Sequence, residues 1–250
     1  MNSKRQRIRN FFLIISFLLF PITHLYFSPF LMIWGASQGI ITISFFIFAA
    51  LFIGALIVGR ALCGWVMPCG GIQEIFFSIN GHAPKTGRMD YLKYVIWVPL
   101  VVSIVILFLL AGGYKRTEYF FHLERGVSMS NLYIYIPYYN VVLLFFLNSV
   151  FFGKRATCHY LCCISPSMII ARKISNFLNT PAIRLRAHKE KCVDCKLCDH
   201  ECPMSLKVSG MVSRGCMENP ECILCGRCAD ICPKKAIAFY FGRKANTVGR

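Results

Sequence analysis

Residues 192–203 read Cys-Val-Asp-Cys-Lys-Leu-Cys-Asp-His-Glu-Cys-Pro, and residues 222–233 read Cys-Ile-Leu-Cys-Gly-Arg-Cys-Ala-Asp-Ile-Cys-Pro. Both stretches have the spacing C-x₂-C-x₂-C-x₃-C-P, and together they hold eight of the 14 cysteines in the 250-residue chain. The chain is neither small nor rich in polar residues, so metal ligation is favoured over a disulfide framework. Zinc could use the C-x₂-C pairs, but it does not explain four cysteines followed by proline in two copies.

The repeated spacing is typical of the bacterial run that binds [4Fe–4S] clusters, in which the fourth cysteine of each run binds the other cluster. Three thiolates at two-residue gaps can wrap one face of a cubane. The fourth cysteine is expected to begin a helix that crosses to the other cubane, with the proline in its first turn. Two crossed ligand sets are therefore predicted: Cys192, Cys195, Cys198 and Cys232 for one cluster, and Cys222, Cys225, Cys228 and Cys202 for the other.

On these eight cysteines and two prolines, residues 182–241 resemble the two-cluster ferredoxins. The resemblance implies a small α+β domain with short β-hairpin elements and two small helices. Between residues 182 and 250 the chain has 13 Lys and Arg against 7 Asp and Glu. Such positive charge can raise the potentials of negatively charged clusters or face anionic lipid.

The rest of the chain is too apolar for a soluble domain. Hydrophobic residues make up 56% of the sequence and charged residues only 16%, which favours a membrane protein. The net charge of +17 does not indicate nucleic-acid binding, because the basic residues flank apolar segments instead of forming one cluster. We therefore divide the chain into a transmembrane helical region over residues 1–175, a ferredoxin-like domain over 182–241 and a basic tail over 242–250.

Gaps between charged residues mark the predicted membrane spans. No Lys, Arg, Asp or Glu occurs between Arg9 and Arg60, and these 50 residues could cross a bilayer core of ~30 Å twice as helix. Proline and glycine residues predict a break around Ser28–Gly39, and Pro137 is expected at the start of the last span. An all-α region of about four helices is predicted, at Ile8–Phe27, Gly39–Gly59, Tyr94–Gly113 and Tyr138–Phe152.

The distribution of Lys and Arg predicts the orientation in the membrane. These residues are concentrated at the N-terminus, between the second and third spans, and after the fourth span. By the positive-inside rule, both termini and the ferredoxin-like domain are cytoplasmic in a multi-pass protein of a prokaryotic plasma membrane. The basic, then apolar, N-terminus is similar to a signal peptide, but no small-x-small cleavage site follows it, so a retained anchor is expected.

An internal repeat lies at the ends of the second and fourth predicted spans. Residues 59–70 read Gly-Arg-Ala-Leu-Cys-Gly-Trp-Val-Met-Pro-Cys-Gly, and residues 154–166 read Lys-Arg-Ala-Thr-Cys-His-Tyr-Leu-Cys-Cys-Ile-Ser-Pro. Both copies contain Arg-Ala-x-Cys, an aromatic residue two positions later, and then further cysteine and proline. Because both are predicted at the cytoplasmic membrane edge, they are expected to form two halves of one site.

This arrangement resembles a family of membrane-bound polyferredoxin-like proteins that includes nitrate-reductase membrane ferredoxins, the nitrous-oxide reductase regulator and the cytochrome-oxidase accessory protein. Those proteins carry paired C-x₃-C-P motifs at the ends of transmembrane helices, followed by two ferredoxin runs. The present chain departs from that motif twice. Met67 precedes Pro68 where the motif has cysteine, and Cys162 is followed by Cys163 where the motif has proline.

The membrane-edge cysteines have three interpretations. Cys63, Cys69, Cys158 and Cys162, with Cys163 as a substitute, could hold a third iron–sulfur cluster. They could instead be buried small apolar residues, which is a common use of free cysteine, or a redox-active dithiol. The nearby Arg60 and Arg155 are expected to be snorkelling anchors, Trp65 and Tyr160 interface anchors, and Glu74 a solvated interfacial residue.

The predicted function is single-electron transfer between the membrane and the cytoplasm. The membrane-side partner would be a quinone or a membrane redox protein in contact with lipid, and the other partner a cytoplasmic electron donor or acceptor. Two alternatives stay open: an accessory protein that supplies electrons for metal-centre assembly, and a metal-ion or small-molecule reductase at the membrane cysteines. The chain has no nucleotide-binding fingerprint and no pairing of nucleophile and base, so an electron-transfer subunit is favoured over a self-contained enzyme.

Overall fold

The computed structural model describes residues 3–76, 82–84, 87–123, 126–128 and 132–244, and this part of the chain is mostly helical. Apolar runs without charged residues form the long helices, and the glycine- and cysteine-rich segments form short ones. Three 3₁₀ helices cover His24–Phe27, Arg88–Tyr91 and Lys189–Lys191. The α-helices of the described residues are α1 (Lys4–Leu18), α2 (Phe20–Thr23), α3 (Pro29–Gln38), α4 (Ile43–Val58), α5 (Ala61–Trp65), α6 (Pro68–Phe76), α7 (Leu92–Leu110), α8 (Leu132–Phe152), α9 (Ala156–Tyr160), α10 (Ser165–Phe177), α11 (Leu197–His200), α12 (Val208–Ser213) and α13 (Arg227–Ile231).

Among the described residues, two helical segments are long and apolar enough to cross a membrane, Met89–Leu110 and Tyr135–Phe152. Helix α1 and the helical turns over residues 20–27 count as a third span only when taken as one element bent by 60°. Helix α4 has 16 residues, or about 24 Å, which is short of a ~30 Å hydrocarbon core. The predicted third and fourth spans therefore correspond to candidate membrane helices, whereas four spans are not established.

Two details of the predicted spans are wrong. The expected break at Ser28–Gly39 contains the ten-residue helix α3, because Pro29 at its first position has a backbone angle that suits helix initiation. That helix ends at Gly39 in the left-handed conformation (φ 74°). Pro137 lies inside α8 and not at its start, although an interior proline removes one backbone hydrogen bond and crowds the preceding turn.

The predicted all-α region also contains a short β-pair. Strand β1 (Ile40–Thr42) lies parallel to β2 (Arg116–Glu118), with Ile40 opposite Arg116. The Lys115 amide donates a 2.9 Å hydrogen bond to the Gly39 carbonyl just before the pair begins. The pair joins the chain leaving α3 to the chain leaving α7, so the expectation of helices alone was wrong here.

The C-terminal domain has the predicted α+β composition. Strands β3 (Ala182–Ala187) and β4 (Ile237–Gly242) pair antiparallel, with Ala182 opposite Gly242. They are the first and last strands of the domain, so the pair encloses both cysteine runs and is not a local hairpin. The domain holds three short helices, α11 to α13, where two were expected.

One hydrophobic core extends from the membrane-edge helices into this domain. It contains Ala55 of α4, Met168 of α10, Leu185 of β3 and Ile223 of the second cysteine run, all less than a tenth exposed. Helix α10 packs along α4, and β3 packs against the same helix. The two cysteine runs and the internal repeat are therefore held by one continuous set of side chains.

Candidate metal centres

The structure brings the second cysteine run together with the fourth cysteine of the first run. Cys222, Cys225, Cys228 and Cys202 line one small cavity, together with apolar side chains such as Ile223, Val208 and Met211. Cys202, Cys225 and Cys228 are buried, and Cys222 is partly buried. An apolar enclosure of this kind suits a cofactor that is bound through sulfur and must be kept from water.

A second small cavity has the reciprocal composition. It is lined by Cys192, Cys195, Cys198 and Cys232, the fourth of which belongs to the other run. Cys195 is exposed, so this cavity lies closer to solvent than the first one. Each cavity thus contains three cysteines of one run and the fourth cysteine of the other, and the binding of a cluster by each set stays a prediction.

The two runs adopt the same backbone conformation. Three positions have positive φ in both runs, and each lies one to three residues after a cysteine. This left-handed conformation makes the backbone turn around each cavity. Non-glycine residues in this conformation are costly and persist only where the surroundings require them. The pairs are Asp194 (φ 49°) with Leu224 (48°), Lys196 (57°) with Gly226 (77°), and Ser205 (50°) with Lys235 (50°).

The fourth cysteines also have matching contacts. The Leu206 amide lies 3.4 Å from Cys202 Sγ, and the Ala236 amide lies 3.3 Å from Cys232 Sγ. Each of these cysteines follows a helix, α11 or α13, and does not begin one. The expected helix start at this position is wrong, because the following proline ends the preceding helix instead of opening a new one.

Burial affects the acidity of several cysteines that line the two cavities. Burial raises the pKa of Cys202 and of Cys198 to about 11, and that of Cys222 to about 12. At neutral pH the thiol protons must therefore be displaced when thiolate ligands form. The four-sulfur composition of each cavity and its backbone amide donors fit an iron–sulfur cluster.

The internal repeat predicted at the membrane edge is present as structure. Each copy forms a five-residue helix, α5 or α9, that begins after Arg60 or Arg155. Each short helix ends with a backbone bond from an amide to the carbonyl five residues earlier, Met67 to Leu62 (3.1 Å) and Cys162 to Thr157 (2.9 Å). By this equivalence Met67 stands where the second copy has Cys162, and Pro68 stands where it has Cys163.

The membrane-edge cysteines lie in one neighbourhood. Burial raises the pKa of Cys69, and so do the nearby Cys158, Cys163 and Cys63 thiols. The pKa of Cys162 is raised by burial and by the same group of thiols. Cys63 and Cys158 are buried, and the other three are partly buried.

Two arginines of the repeat are buried and are not snorkelling anchors. Arg155 is 0% exposed, and its guanidinium donates to Glu74 (2.8 Å) and to the Cys63 carbonyl (3.3 Å). Arg60 is 2% exposed and donates to Glu221 (2.8 Å) in the segment before Cys222. The expectation failed because snorkelling assumes that a charged head finds water, whereas both heads find a buried carboxylate.

Glu74 is a central residue that sequence reasoning rated too low. It accepts hydrogen bonds from Arg9 (2.6 Å) and Arg155 (2.8 Å), and Arg227 lies 3.4 Å away. Burial alone would raise the pKa of Glu74, but Arg155, Arg9 and Arg227 outweigh burial and lower it to about 2. One feature of the sequence could have indicated this role: Glu74 is the only acidic residue between positions 1 and 89.

The aromatic residues of the repeat contact other parts of the protein. The Trp65 indole donates to the Leu224 carbonyl (3.1 Å), so this side chain joins α5 to the second cysteine run and is not a lipid anchor. Tyr160 is buried. His159 is fully buried, with Nδ1 3.3 Å from Asp90 Oδ1.

A large, mainly apolar cavity adjoins the membrane-edge cysteines. It is bounded by α2, α3 and α8 and by the turn after α9. Cys69, Cys162 and Cys163 line it, and His24 lies on its wall with apolar residues such as Phe20 and Val141. The cavity therefore connects the region of the candidate membrane helices to the cysteines of the internal repeat.

Comparison with known families agrees with the fold and the cysteine geometry of the C-terminal domain. Residues 191–237 match the Fer4_9 family, described as a 4Fe-4S dicluster domain. The chain is therefore an iron–sulfur protein with a ferredoxin-like domain. The membrane-edge repeat lies outside the matched residues.

Three known proteins are similar to all or part of this chain. The chain is 28% identical over 201 residues to the uncharacterized protein MJ0750 of Methanocaldococcus jannaschii, covering 76% of this chain and 75% of the relative. A second uncharacterized protein of that organism, MJ0749, is 25% identical over 190 residues, covering 74% of this chain and 66% of the relative. Pyruvate synthase subunit PorD of Thermotoga maritima is 43% identical over 51 residues, which are 20% of this chain and half of PorD. No solved structure matches the chain significantly.

Proposed function

We propose that this protein is a membrane-anchored iron–sulfur protein that passes single electrons between a redox partner in the membrane and a partner in the cytoplasm. The observation that carries the proposal is the pair of cavities in which three cysteines of one run meet the fourth cysteine of the other. Each [4Fe–4S] cluster, when bound, would supply one reversible single-electron couple. The proposed ligand sets are Cys192, Cys195, Cys198 and Cys232 for one cluster, and Cys222, Cys225, Cys228 and Cys202 for the other.

The solvent-facing side supports a cytoplasmic partner with an acidic surface. The cavity that contains the exposed Cys195 is also lined by three lysines and one acidic residue, Lys191, Lys196, Lys234 and Asp194, so its rim carries net positive charge. Val193 beside them is 60% exposed, so the rim combines positive charge with an apolar contact. Such a surface steers and orients a negatively charged partner, for example an acidic flavodoxin-like protein.

The large apolar cavity supports a lipophilic partner on the membrane side. Its aromatic and aliphatic walls suit a quinone ring, and the side chains of Cys69 and Cys162 reach it. The proposal includes four membrane spans, with both termini in the cytoplasm. Under this arrangement the cavity lies beside the candidate membrane helix α8, and the ferredoxin-like domain extends from the cytoplasmic face.

The first test is the iron and acid-labile sulfide content of the full chain, purified anaerobically in detergent, with EPR after reduction by dithionite. We expect two interacting reduced-cluster signals, one lost in Cys195→Ser and the other in Cys225→Ser. Cys216→Ser serves as the control, because Cys216 lines neither four-cysteine cavity. Reduced protein without any cluster signal would overturn the proposal.

The second test concerns the membrane partner. A short-chain quinol should reduce the clusters, and Val141→Trp, which places a bulky ring in the apolar cavity, should slow this reduction. Leu143→Trp is the matched control, because Leu143 lies in the same helix, is 50% exposed and does not line the cavity. Equal rates in the two variants would contradict quinol entry through this cavity.

A further inference from the structure

The five cysteines of the internal repeat come from two structurally equivalent half-sites. The two short helices present Cys63 and Cys158 at equivalent positions, since each cysteine amide bonds to the carbonyl of the arginine three residues earlier (both 3.0 Å). Cys69 lies near the start of α6, and Cys162 directly follows α9. The repeat therefore supplies two cysteines from each half, with Cys163 next to the second pair.

Hydrogen bonds join the two half-sites to each other. Arg155 of the second copy donates to backbone carbonyls of the first copy, at Cys63 (3.3 Å) and Gly70 (3.5 Å). The Gln73 amide of α6 lies 3.2 Å from Cys158 Sγ. These contacts hold the cysteines of both copies in a fixed relation, as a site for a shared ligand requires.

The surroundings of the cysteines carry excess buried positive charge. Arg9, Arg155 and Arg227 share Glu74, and Arg60 and Lys93 share Glu221. Arg227 also lies 3.9 Å from Glu201, so in this part of the described chain five cations face three carboxylates. Four of these cations have side chains no more than 1% exposed. Arg155 Nε has no hydrogen-bond partner among the residues that the structure describes. Buried cations in excess need an anion nearby, and a cluster bound by four thiolates is such an anion.

The site also lies against the ferredoxin-like domain. A Cβ on Gly64 would come within 2.5 Å of the Ile223 carbonyl oxygen, so α5 and the second cysteine run are in direct backbone contact. Ile223 lines the cavity that holds Cys222 and Cys225. On its other side the site meets the large apolar cavity through Cys69, Cys162 and Cys163.

We propose that Cys63, Cys69, Cys158 and Cys162, with Cys163 able to replace a neighbour, bind a third iron–sulfur cluster between the apolar cavity and the ferredoxin-like domain. This site is additional to the two clusters of the proposed function. The two departures from the C-x₃-C-P motif still leave enough cysteines for such a cluster. Met67 occupies the position equivalent to Cys162, but Cys69, two residues later, supplies a thiol, and Cys163 adds one beside Cys162 on the wall of the same cavity.

The test is metal analysis of the full chain, reconstituted anaerobically with iron and sulfide in detergent. The wild type should hold about twelve irons per chain, three cubanes, against about eight for the two ferredoxin runs alone. Cys63→Ser with Cys158→Ser, and independently Cys69→Ser with Cys162→Ser, should each lose about four irons and keep the EPR signals of the ferredoxin clusters. Cys216→Ser is the matched control and should lose none.

A fully reconstituted wild type with about eight irons would overturn the third site, as would a zinc ion bound there in place of iron. The wild-type count decides the question even if a double variant fails to fold. Failure of the proposed function is a separate outcome. In that case the ferredoxin EPR signals would be absent from the wild type, whereas iron lost on changing Cys63 and Cys158 would still report the membrane-edge site.

Discussion

Arg155 Nη2 donates a 2.8 Å hydrogen bond to Glu74 Oε2, and this bond joins the second copy of the internal repeat to the helix that follows the first copy. Arg9 of α1 donates to the same carboxylate oxygen (2.6 Å). Three segments far apart in the sequence therefore meet at one buried carboxylate. The arrangement explains why so apolar a region retains charged residues.

Replacement of Glu74 by Gln should strongly destabilise the protein. Arg9 and Arg155, both with fully buried side chains, would lose their compensating charge, and breaking a buried pair in this way costs about 3–5 kcal/mol. Glu118→Gln is the control, because its pair with Arg116 is exposed and worth about 0–1 kcal/mol. Thermal and denaturant unfolding in detergent would measure both. Equal effects would show that the Glu74 cluster does not stabilise the fold.

Gly64→Ala should disturb the junction between α5 and the ferredoxin-like domain. The added methyl group would lie 2.5 Å from the Ile223 carbonyl oxygen, a backbone atom that cannot move aside easily. Overpacking of this kind costs about 1–3 kcal/mol. In Gly210→Ala the new methyl group meets nothing within 4 Å, so that variant should be neutral or slightly stabilising. Limited proteolysis and unfolding midpoints would compare the two variants.

Cys232→Ala should damage the cluster bound by Cys192, Cys195 and Cys198, although it lies in the other run. The reason is that Cys232 lines the same cavity as those three cysteines. EPR of the reduced protein should lose one cluster signal and the magnetic coupling between the two clusters. Loss of the cluster bound by Cys222 alone would refute the crossed assignment.

Charge reversal at Lys196 or Lys234 should slow electron exchange with an acidic soluble partner and weaken its dependence on salt. Both residues line the cavity nearest to solvent, so their charges act at the proposed docking surface. Arg243→Glu makes the same change of charge beyond the far end of β4 and should have a smaller effect. Stopped-flow measurements at several ionic strengths would compare the variants. If the rate of electron transfer depended equally on ionic strength in all three variants, docking at this surface would be contradicted.

A reporter fused after Lys115 should read extracytoplasmic, and one fused at Arg250 should read cytoplasmic. The expectation rests on the positive-inside rule, because few basic residues occur between α7 and α8. Paired reporters that are active on opposite sides of the membrane would measure it. A cytoplasmic result for the loop after Lys115 would exclude the four-span topology and leave the ferredoxin-like domain unaffected.

The spacing of cysteines was sufficient to predict the ferredoxin-like domain and the way its cysteines group. Short, regular gaps restrict three thiols to one loop, and two copies of the run imply two such loops. The local sequence was less reliable for helix boundaries near Pro29 and Pro137. A proline excludes only particular positions of a helix, and the neighbouring apolar residues determine whether the helix continues.

The sequence by itself determined the apolar character of the first 175 residues, the two cysteine runs and the existence of the internal repeat, because each depends on residue type and spacing along the chain. Only the tertiary structure decided that Arg60 and Arg155 are buried against Glu221 and Glu74, and that Trp65 contacts the second cysteine run. The partners in these contacts are separated by 81 to 161 residues. Pairing over such distances follows from how the helices pack, and no local pattern in the sequence specifies it.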